Sequence, residues 1–166
     1  MHALIVGGRG VGKSTLIRRV LRELNCPVSG FETKKEAQLE DPLLGCPIYI
    51  YEAGKPHHRA VDAAAVTAAF DRYAPKLLMP MPEAAVVELD EIGFLEAGSE
   101  AFCQAVLGLL DGDRPVLAAV KDRDIPFLNA IRAHPAARCF HITEENRDEL
   151  FEEVLEFMKQ QLEERP

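Results

Sequence analysis

The stretch "GGRGVGKST", Gly7 to Thr15, constrains this chain more than any other. It follows a short apolar run, Ala3–Val6, and leads directly into "KSTLIRRVLREL", where Leu16, Ile17, Val20, Leu21 and Leu24 recur at helical spacing. An apolar strand, a glycine-rich turn and an amphipathic helix form the context in which G-x-x-x-x-G-K-[ST] becomes a site, here with Gly7, Gly12, Lys13 and Ser14 in register. The glycines at 7, 8, 10 and 12 open backbone conformations closed to residues with a Cβ. The loop's N–H groups then turn inward around the phosphates of a nucleotide. Lys13 places a cation at the β- and γ-phosphates, and the Ser14 hydroxyl is a ligand for Mg2+. A glycine-rich turn that binds nothing is the alternative, and the flanking strand and helix argue against it.

A second stretch, "AAVVELDEIGFLE" from Ala84 to Glu96, begins as a buried strand and then collects carboxylates. Mg2+ on a triphosphate needs a second protein anchor, which chains with such a loop supply from an Asp ending a neighbouring apolar strand. Asp90 is that candidate, and Glu91 beyond it is placed to orient and polarise an attacking water. The competing reading has Asp90 and Glu91 cap the next helix, since acids favour helix N-termini; the glycine loop decides for metal. Period-two geometry puts Glu88 on the same face as Asp90, where a buried carboxylate must find a partner or protonate. A third acidic and basic cluster, "KDRD" at Lys121–Asp124, ends another apolar strand. Ligands of open α/β sheets bind at that edge, so Lys121 or Arg123 is within reach of a phosphate, although solvated loop charges are the commoner case.

Alternating strand and helix patterns along the chain predict an α/β fold of three layers, with a mainly parallel central sheet and helices on both faces. The expected strands are Ala3–Val6, Ala85–Asp90, Val116–Val120 and Arg138–Ile142. Two extended segments, Gly30–Glu36 and Pro47–Ala53, are expected to form a hairpin. Helices are expected over Lys13–Leu24, Asp62–Leu78, Ser99–Leu110 and Pro126–Ala133. A last helix carries Leu150, Phe151, Val154, Leu155, Met158 and Leu162 in one stripe, with Asn146 as its N-cap and Glu149 as the reciprocal partner.

At 166 residues, 48% hydrophobic and 28% charged, the chain is expected to be one domain, 1–166, with a core that needs no staples. Its net charge of −8 disfavours a nucleic-acid partner. No apolar run approaches the ~18 residues that suggest a membrane span. A glycine loop starting at Gly7 leaves no room for a removable leader, so the cytoplasm is the expected compartment. Cys26, Cys46, Cys103 and Cys139 are widely spaced and are expected to be reduced thiols rather than bridges or zinc ligands. His57 and His58 read as part of an exposed polar turn.

Taken together, "GGRGVGKSTL", "GFET" at Gly30–Thr33, "LDEIGFLEAGSEAF" at Leu89–Phe102 and "ENRDEL" at Glu145–Leu150 resemble the small P-loop nucleoside-triphosphatase family first known from thermophiles, with a human cancer-related member. The resemblance covers most of the chain. It implies a P-loop NTPase fold similar to that of nucleotide kinases, and Mg2+-dependent hydrolysis of ATP, GTP and other nucleoside triphosphates to diphosphate and phosphate. It further implies a phosphate loop made of Gly7, Gly8, Arg9, Gly10, Val11, Gly12, Lys13, Ser14 and Thr15, with Asp90 as metal anchor and Glu91 at the water-activating position. Asn146 and Arg147 match the C-terminal signature, which puts Arg147 beside the nucleotide. Glu96 and Ser99 match family positions without an evident physical role. The chain departs from the usual strings at Lys34 and Lys35, at Phe94 where a Lys is usual, at Leu95, and at Glu88 where an apolar residue is usual.

Three functions fit these residues. A hydrolase needs only Mg2+ on Ser14 and Asp90, Lys13 at the γ-phosphate and Glu91 on the water. Arg123, Arg132 and Arg147 are the arginine-finger candidates, and with none of them obvious, turnover below about one per second is expected. A nucleotide or small-molecule kinase needs an acceptor pocket and an arginine-bearing lid, for which "KDRDIPF" is short. A nucleotide switch is the third, although the chain lacks the N-K-x-D string that reads guanine. Nothing in the sequence names a protein partner.

Overall fold

The computed structural model describes residues 1–35, 48–52, 70–72, 74–75, 83–93 and 98–164. Its strands are β1 (His2–Gly7), β2 (Val28–Lys35), β3 (Ile48–Glu52), β4 (Val86–Ile92), β5 (Val116–Lys121) and β6 (Ala137–His141). Its helices are α1 (Lys13–Leu24), α2 (Glu100–Leu110), α3 (Pro126–Arg132) and α4 (Arg147–Glu163). The strands form one sheet in the order β3-β2-β4-β5-β1-β6. Every pairing is parallel except that of β2 with β3. The expected hairpin is therefore present as an antiparallel pair at the sheet edge.

A parallel sheet covered on both faces needs strands that are apolar on both sides, and β1 meets this with every residue from His2 to Gly7 buried. Leu4 and Val6 face one layer, together with Phe31, Leu89, Phe102, Leu128 and Ile131. Ala3 and Ile5 face the other, with Leu16, Ile17, Val20, Phe151, Val154 and Met158. So α2 and α3 cover the first face, while α1 and α4 cover the second. Among the first group, Phe102 packs against Phe31 at 5.5 Å and Phe70 at 4.8 Å between ring centroids, which docks α2 on β2. On the second face, Arg19 of α1 stacks on Phe151 of α4 at 4.2 Å and bonds Asp148 at 3.0 Å.

The apolar stripe of α4 is as expected, with Phe157 joining it. The bonding of its cap is not. Asn146 makes no side-chain bond into the helix; its Oδ1 accepts from Thr143 N at 2.8 Å and its Nδ2 donates to His141 O at 2.9 Å. The near-helical backbone of Asn146, φ −101° and ψ −1°, aims the amide back at the incoming loop rather than at Glu149. Ser99, whose role was open, is the cap of α2: its Oγ accepts from Phe102 N at 3.2 Å and also donates to Asp71. The expected helix Asp62–Leu78 lies mostly outside the described residues, of which 70–72 and 74–75 are helical. Glu36, Pro47, Ala53, His57, His58, Cys46, Phe94, Leu95 and Glu96 also lie outside them, while Cys26, Cys103 and Cys139 are unbridged. No helix among the described residues is long and apolar enough to cross a membrane.

Gly30 fixes the approach of β2 to β4. It pairs with Glu88 at φ +113°, and a Cβ built on it would lie 1.8 Å from the Glu88 carbonyl oxygen. Any side chain there must push two paired backbones apart. Gly30→Ala is expected to cost more than ~3 kcal/mol, read as a large drop in the denaturation midpoint or as loss of soluble protein. A midpoint near that of the wild type would show that the pairing is looser than described.

Candidate active site

The site lies at the C-terminal edge of the sheet, where β1, β4 and β5 end beside the N-terminus of α1. The sequence placed Asp90 on a strand neighbouring β1; the structure puts β5 between β4 and β1. Gly7 pairs with Lys121 of β5, and Glu88 and Leu89 of β4 pair with Leu117 and Ala118 of the same strand. Three strand ends thus stand in a row: the glycine loop, Lys121, then Asp90 and Glu91.

The loop is held from below by the β6–α4 connection. Ile142 N donates to Val6 O at 2.9 Å, and a Cβ on Gly7 would lie 2.8 Å from Ile142 Cγ2. Gly12, the N-cap of α1, has φ 105°, a value that disfavours side chains. Arg147 lies over it, since a Cβ on Gly12 would be 3.5 Å from Arg147 Cδ and 3.6 Å from its Nη1. The Arg147 Nε donates to Glu144 O at 3.2 Å. Arg147 is therefore at the loop. Arg132 is not: its guanidinium bonds the carbonyls of Lys121 and Arg123 at 3.3 and 2.7 Å, bracing the end of β5.

Lys13 is buried, 4% exposed. Its ammonium donates to Gly7 O at 2.9 Å and Gly8 O at 2.5 Å, and lies 3.1 Å from Glu91 Oε2. The three donors of a lysine are spent on the loop it serves and on the β4 carboxylate. Glu91 is shared, since its Oε1 is 3.3 Å from Lys121 Nζ. One residue earlier, Asp90 Oδ1 accepts from the Ser14 hydroxyl at 2.9 Å. The two carboxylates that looked alike in sequence therefore differ in partner: Asp90 meets the hydroxyl, Glu91 the two cations.

Thr33, from the "GFET" stretch, clamps the backbone between them. Its hydroxyl accepts from Glu91 N at 3.2 Å and donates to Asp90 O at 3.4 Å. Nothing in the sequence singled out Thr33 for this; the register that sets Glu32 against Asp90 brings it there. Glu88 lies below Asp90 on the same strand, 3% exposed, so the strand is as buried as an apolar reading implies.

Asp90 is 5% exposed, and burial pushes its carboxyl up from 3.8 to about 6. The Ser14 hydrogen bond pulls the other way, while Glu32 and Glu91 raise it further. A buried carboxylate of this kind is what a bound dication compensates. A hydroxyl and a carboxylate at the mouth of a phosphate-binding loop also suit Mg2+, which takes few protein ligands and completes its shell with water and phosphate oxygens. Among the described residues no group of three or more His, Cys, Asp or Glu side chains is poised to hold a metal alone.

The topology and the edge site define an α/β nucleotide-binding fold of the phosphate-loop class. The family model described as NTPase matches residues 2–155, so the chain belongs to the NTPase family. It is 30% identical over 175 residues to the nucleoside-triphosphatase THEP1 of Hyperthermus butylicus, covering 96% of this chain and 93% of that one. Its structure is similar to the crystal structure of THEP1 from Aquifex aeolicus, with a TM-score of 0.75, 26% identity, and coverage of 96% and 99% of the two chains. It is also similar to the solution structure of a human cancer-related nucleoside triphosphatase, with a TM-score of 0.67, 25% identity and 99% of both chains covered.

The charge on Asp90 yields a stability prediction. Because its folded value is raised, its contribution is most favourable below 3.8 and is lost as pH rises through about 6. Asp90→Asn has no such charge to bury. Without divalent metal, the variant is expected to match the wild type near pH 4 and to exceed it above pH 6 by up to ~3 kcal/mol. Denaturant titrations in chelator across that range check this; a variant less stable at every pH would contradict it.

Proposed function

We infer that this chain is a hydrolase of nucleoside triphosphates, as its relatives are by name, and that its products are the diphosphate and inorganic phosphate. The observation that carries the site assignment is the division of the two β4 carboxylates: Asp90 on Ser14 at 2.9 Å, Glu91 on Lys13 at 3.1 Å. Ser14 and Asp90 are the residues that would hold Mg2+, which when bound neutralises charge on the β- and γ-phosphate oxygens.

The loop from Gly7 to Thr15 binds the phosphates through its backbone N–H groups and the N-terminus of α1. Lys13 turns from its loop carbonyls and Glu91 to the β- and γ-phosphates. Arg147, over Gly12, contacts the nucleotide from the side of the β6–α4 connection. Glu91 accepts a hydrogen bond from a water in line with the γ-phosphorus. The water oxygen bonds to phosphorus as the bond to the β–γ bridging oxygen breaks, and the diphosphate leaves with that electron pair. Glu91 takes the water's proton and releases it to solvent. Most of the acceleration is positioning and charge stabilisation.

Arg132 is committed to bracing β5, which removes one internal finger candidate and supports turnover below about one per second. The kinase and switch alternatives are not favoured by the family or by its relatives. The inferred setting is cytoplasmic, with ATP or GTP as substrate and no nucleic acid or membrane.

Phosphate release from Mg–ATP and Mg–GTP, with no other substrate, tests this reading. The wild type is expected to release phosphate, and Lys13→Ala and Asp90→Ala to abolish release. Glu91→Gln is expected to lower turnover about 10²–10³-fold while binding nucleotide nearly as the wild type does. Full turnover in Glu91→Gln would remove Glu91 from its role; release only after an acceptor is added would make the protein a kinase.

A further inference from the structure

We propose that Lys121 is a positioning residue for hydrolysis, holding the Glu91 carboxylate in place when the nucleotide draws Lys13 away. This rests on the assignment of Glu91 to the attacking water. The ammonium of Lys121 lies 3.3 Å from Glu91 Oε1, while Lys13 lies 3.1 Å from Oε2. The two lysines thus grip opposite oxygens of one carboxylate. Only one of those grips is compatible with catalysis as inferred above. Lys13 already donates to Gly7 O and Gly8 O, so a polyphosphate entering the loop competes for its ammonium with its present partners, Glu91 among them. Lys121 stands on β5 rather than in the loop, and keeps its side of the carboxylate.

The fold supplies the means. Because β5 runs between β1 and β4, its last residue stands between the glycine loop and the β4 acids. Lys121 pairs with Gly7 in the ladder, so its backbone is fixed relative to the phosphate loop itself. The strand end is locked from the far side by Arg132, which bonds the carbonyls of Lys121 and Arg123 and the Asn129 side chain. Thr33 holds the Glu91 backbone by its N–H. Glu91 is therefore anchored at both ends, by Thr33 at the backbone and by Lys121 at the tip. Its side chain is 24% exposed and that of Lys121 22%, which leaves the carboxylate open to a water while its orientation is set. A carboxylate held only at its backbone would sweep several rotamers, and misplacement of a reacting group by about 1 Å can cost on the order of 10²-fold in rate.

The test is a double-mutant cycle on Lys121 and Glu91, using the full chain with Mg–ATP. Steady-state kinetics and nucleotide affinity are measured for the wild type, Lys121→Met, Lys121→Gln, Lys121→Arg, Glu91→Gln and Lys121→Met/Glu91→Gln. Single-turnover reactions with enzyme in excess read the slow variants. Lys121→Met and Lys121→Gln are expected to lower kcat about 10–100-fold with affinity changed less than about 3-fold, and Lys121→Arg to recover most of the loss. In the Glu91→Gln background the Lys121→Met change is expected to cost less than about 2-fold, because the group it positions is already gone. A wild-type kcat in both neutral variants, or an equal penalty with and without the Glu91 carboxylate, would overturn the proposal while leaving Glu91 in its role. Full turnover in Glu91→Gln alone would overturn the role of Glu91 and this proposal with it.

Discussion

The hydrogen bond from the Ser14 hydroxyl to Asp90, 2.9 Å across 76 residues of sequence, joins the first turn of α1 to the end of β4. It is the contact around which the rest of the site is arranged. A buried carboxylate is costly unless something compensates it, and here a neutral hydroxyl compensates only in part, since the Asp90 carboxyl is still pushed up to about 6. As inferred above, a cation held by Ser14 and Asp90 would supply the rest of that compensation. The burial that makes the charge costly comes from the surrounding layers: β1 is wholly buried, and apolar clusters fill both faces of the sheet.

Around that bond, sheet order sorts the remaining charges. Interposing β5 between β1 and β4 separates the glycine loop from the acids by one strand width and delivers Lys121 into the gap. Glu91 then lies between two lysines, whereas Asp90 meets Ser14. Two adjacent acids in one strand thus acquire different chemistry from their different partners, a hydroxyl for Asp90 and two ammonium groups for Glu91. Gly30 lets β2 close on β4, and that closeness is what brings Thr33 onto the peptide between the two acids.

Much of this was legible in the residues. The loop from Gly7 to Thr15 carries its own structure, because strand, glycines and helix are contiguous and local geometry decides them. The ends of β4, β5 and β6, and the α4 stripe, follow from periodicities that packing preserves. Strand order was not legible, because pairing joins residues far apart in sequence and several orders bury the same apolar faces; hence Asp90 was placed one strand too close to β1. Lys121 was visible as a charge at a strand end, but only its register against Gly7 turns it toward Glu91. Asn146 is the N-cap of α4 by position, as read from the sequence, but two bonds to Thr143 and His141 hold its amide in the loop, so its side chain does not cap the helix. Ser99 was matched without a role, which its bonds to Phe102 and Asp71 now supply.

The central claim is that Ser14 and Asp90 form half of a metal site completed by the nucleotide. The most direct measurement is calorimetric binding of a non-hydrolysable ATP analogue with and without Mg2+, to the wild type and to Asp90→Ala. The account predicts that Mg2+ tightens analogue binding to the wild type by at least about tenfold, ~1.4 kcal/mol, and that Asp90→Ala loses most of this gain while retaining metal-free binding. Equal tightening in both proteins, or none in the wild type, would contradict it.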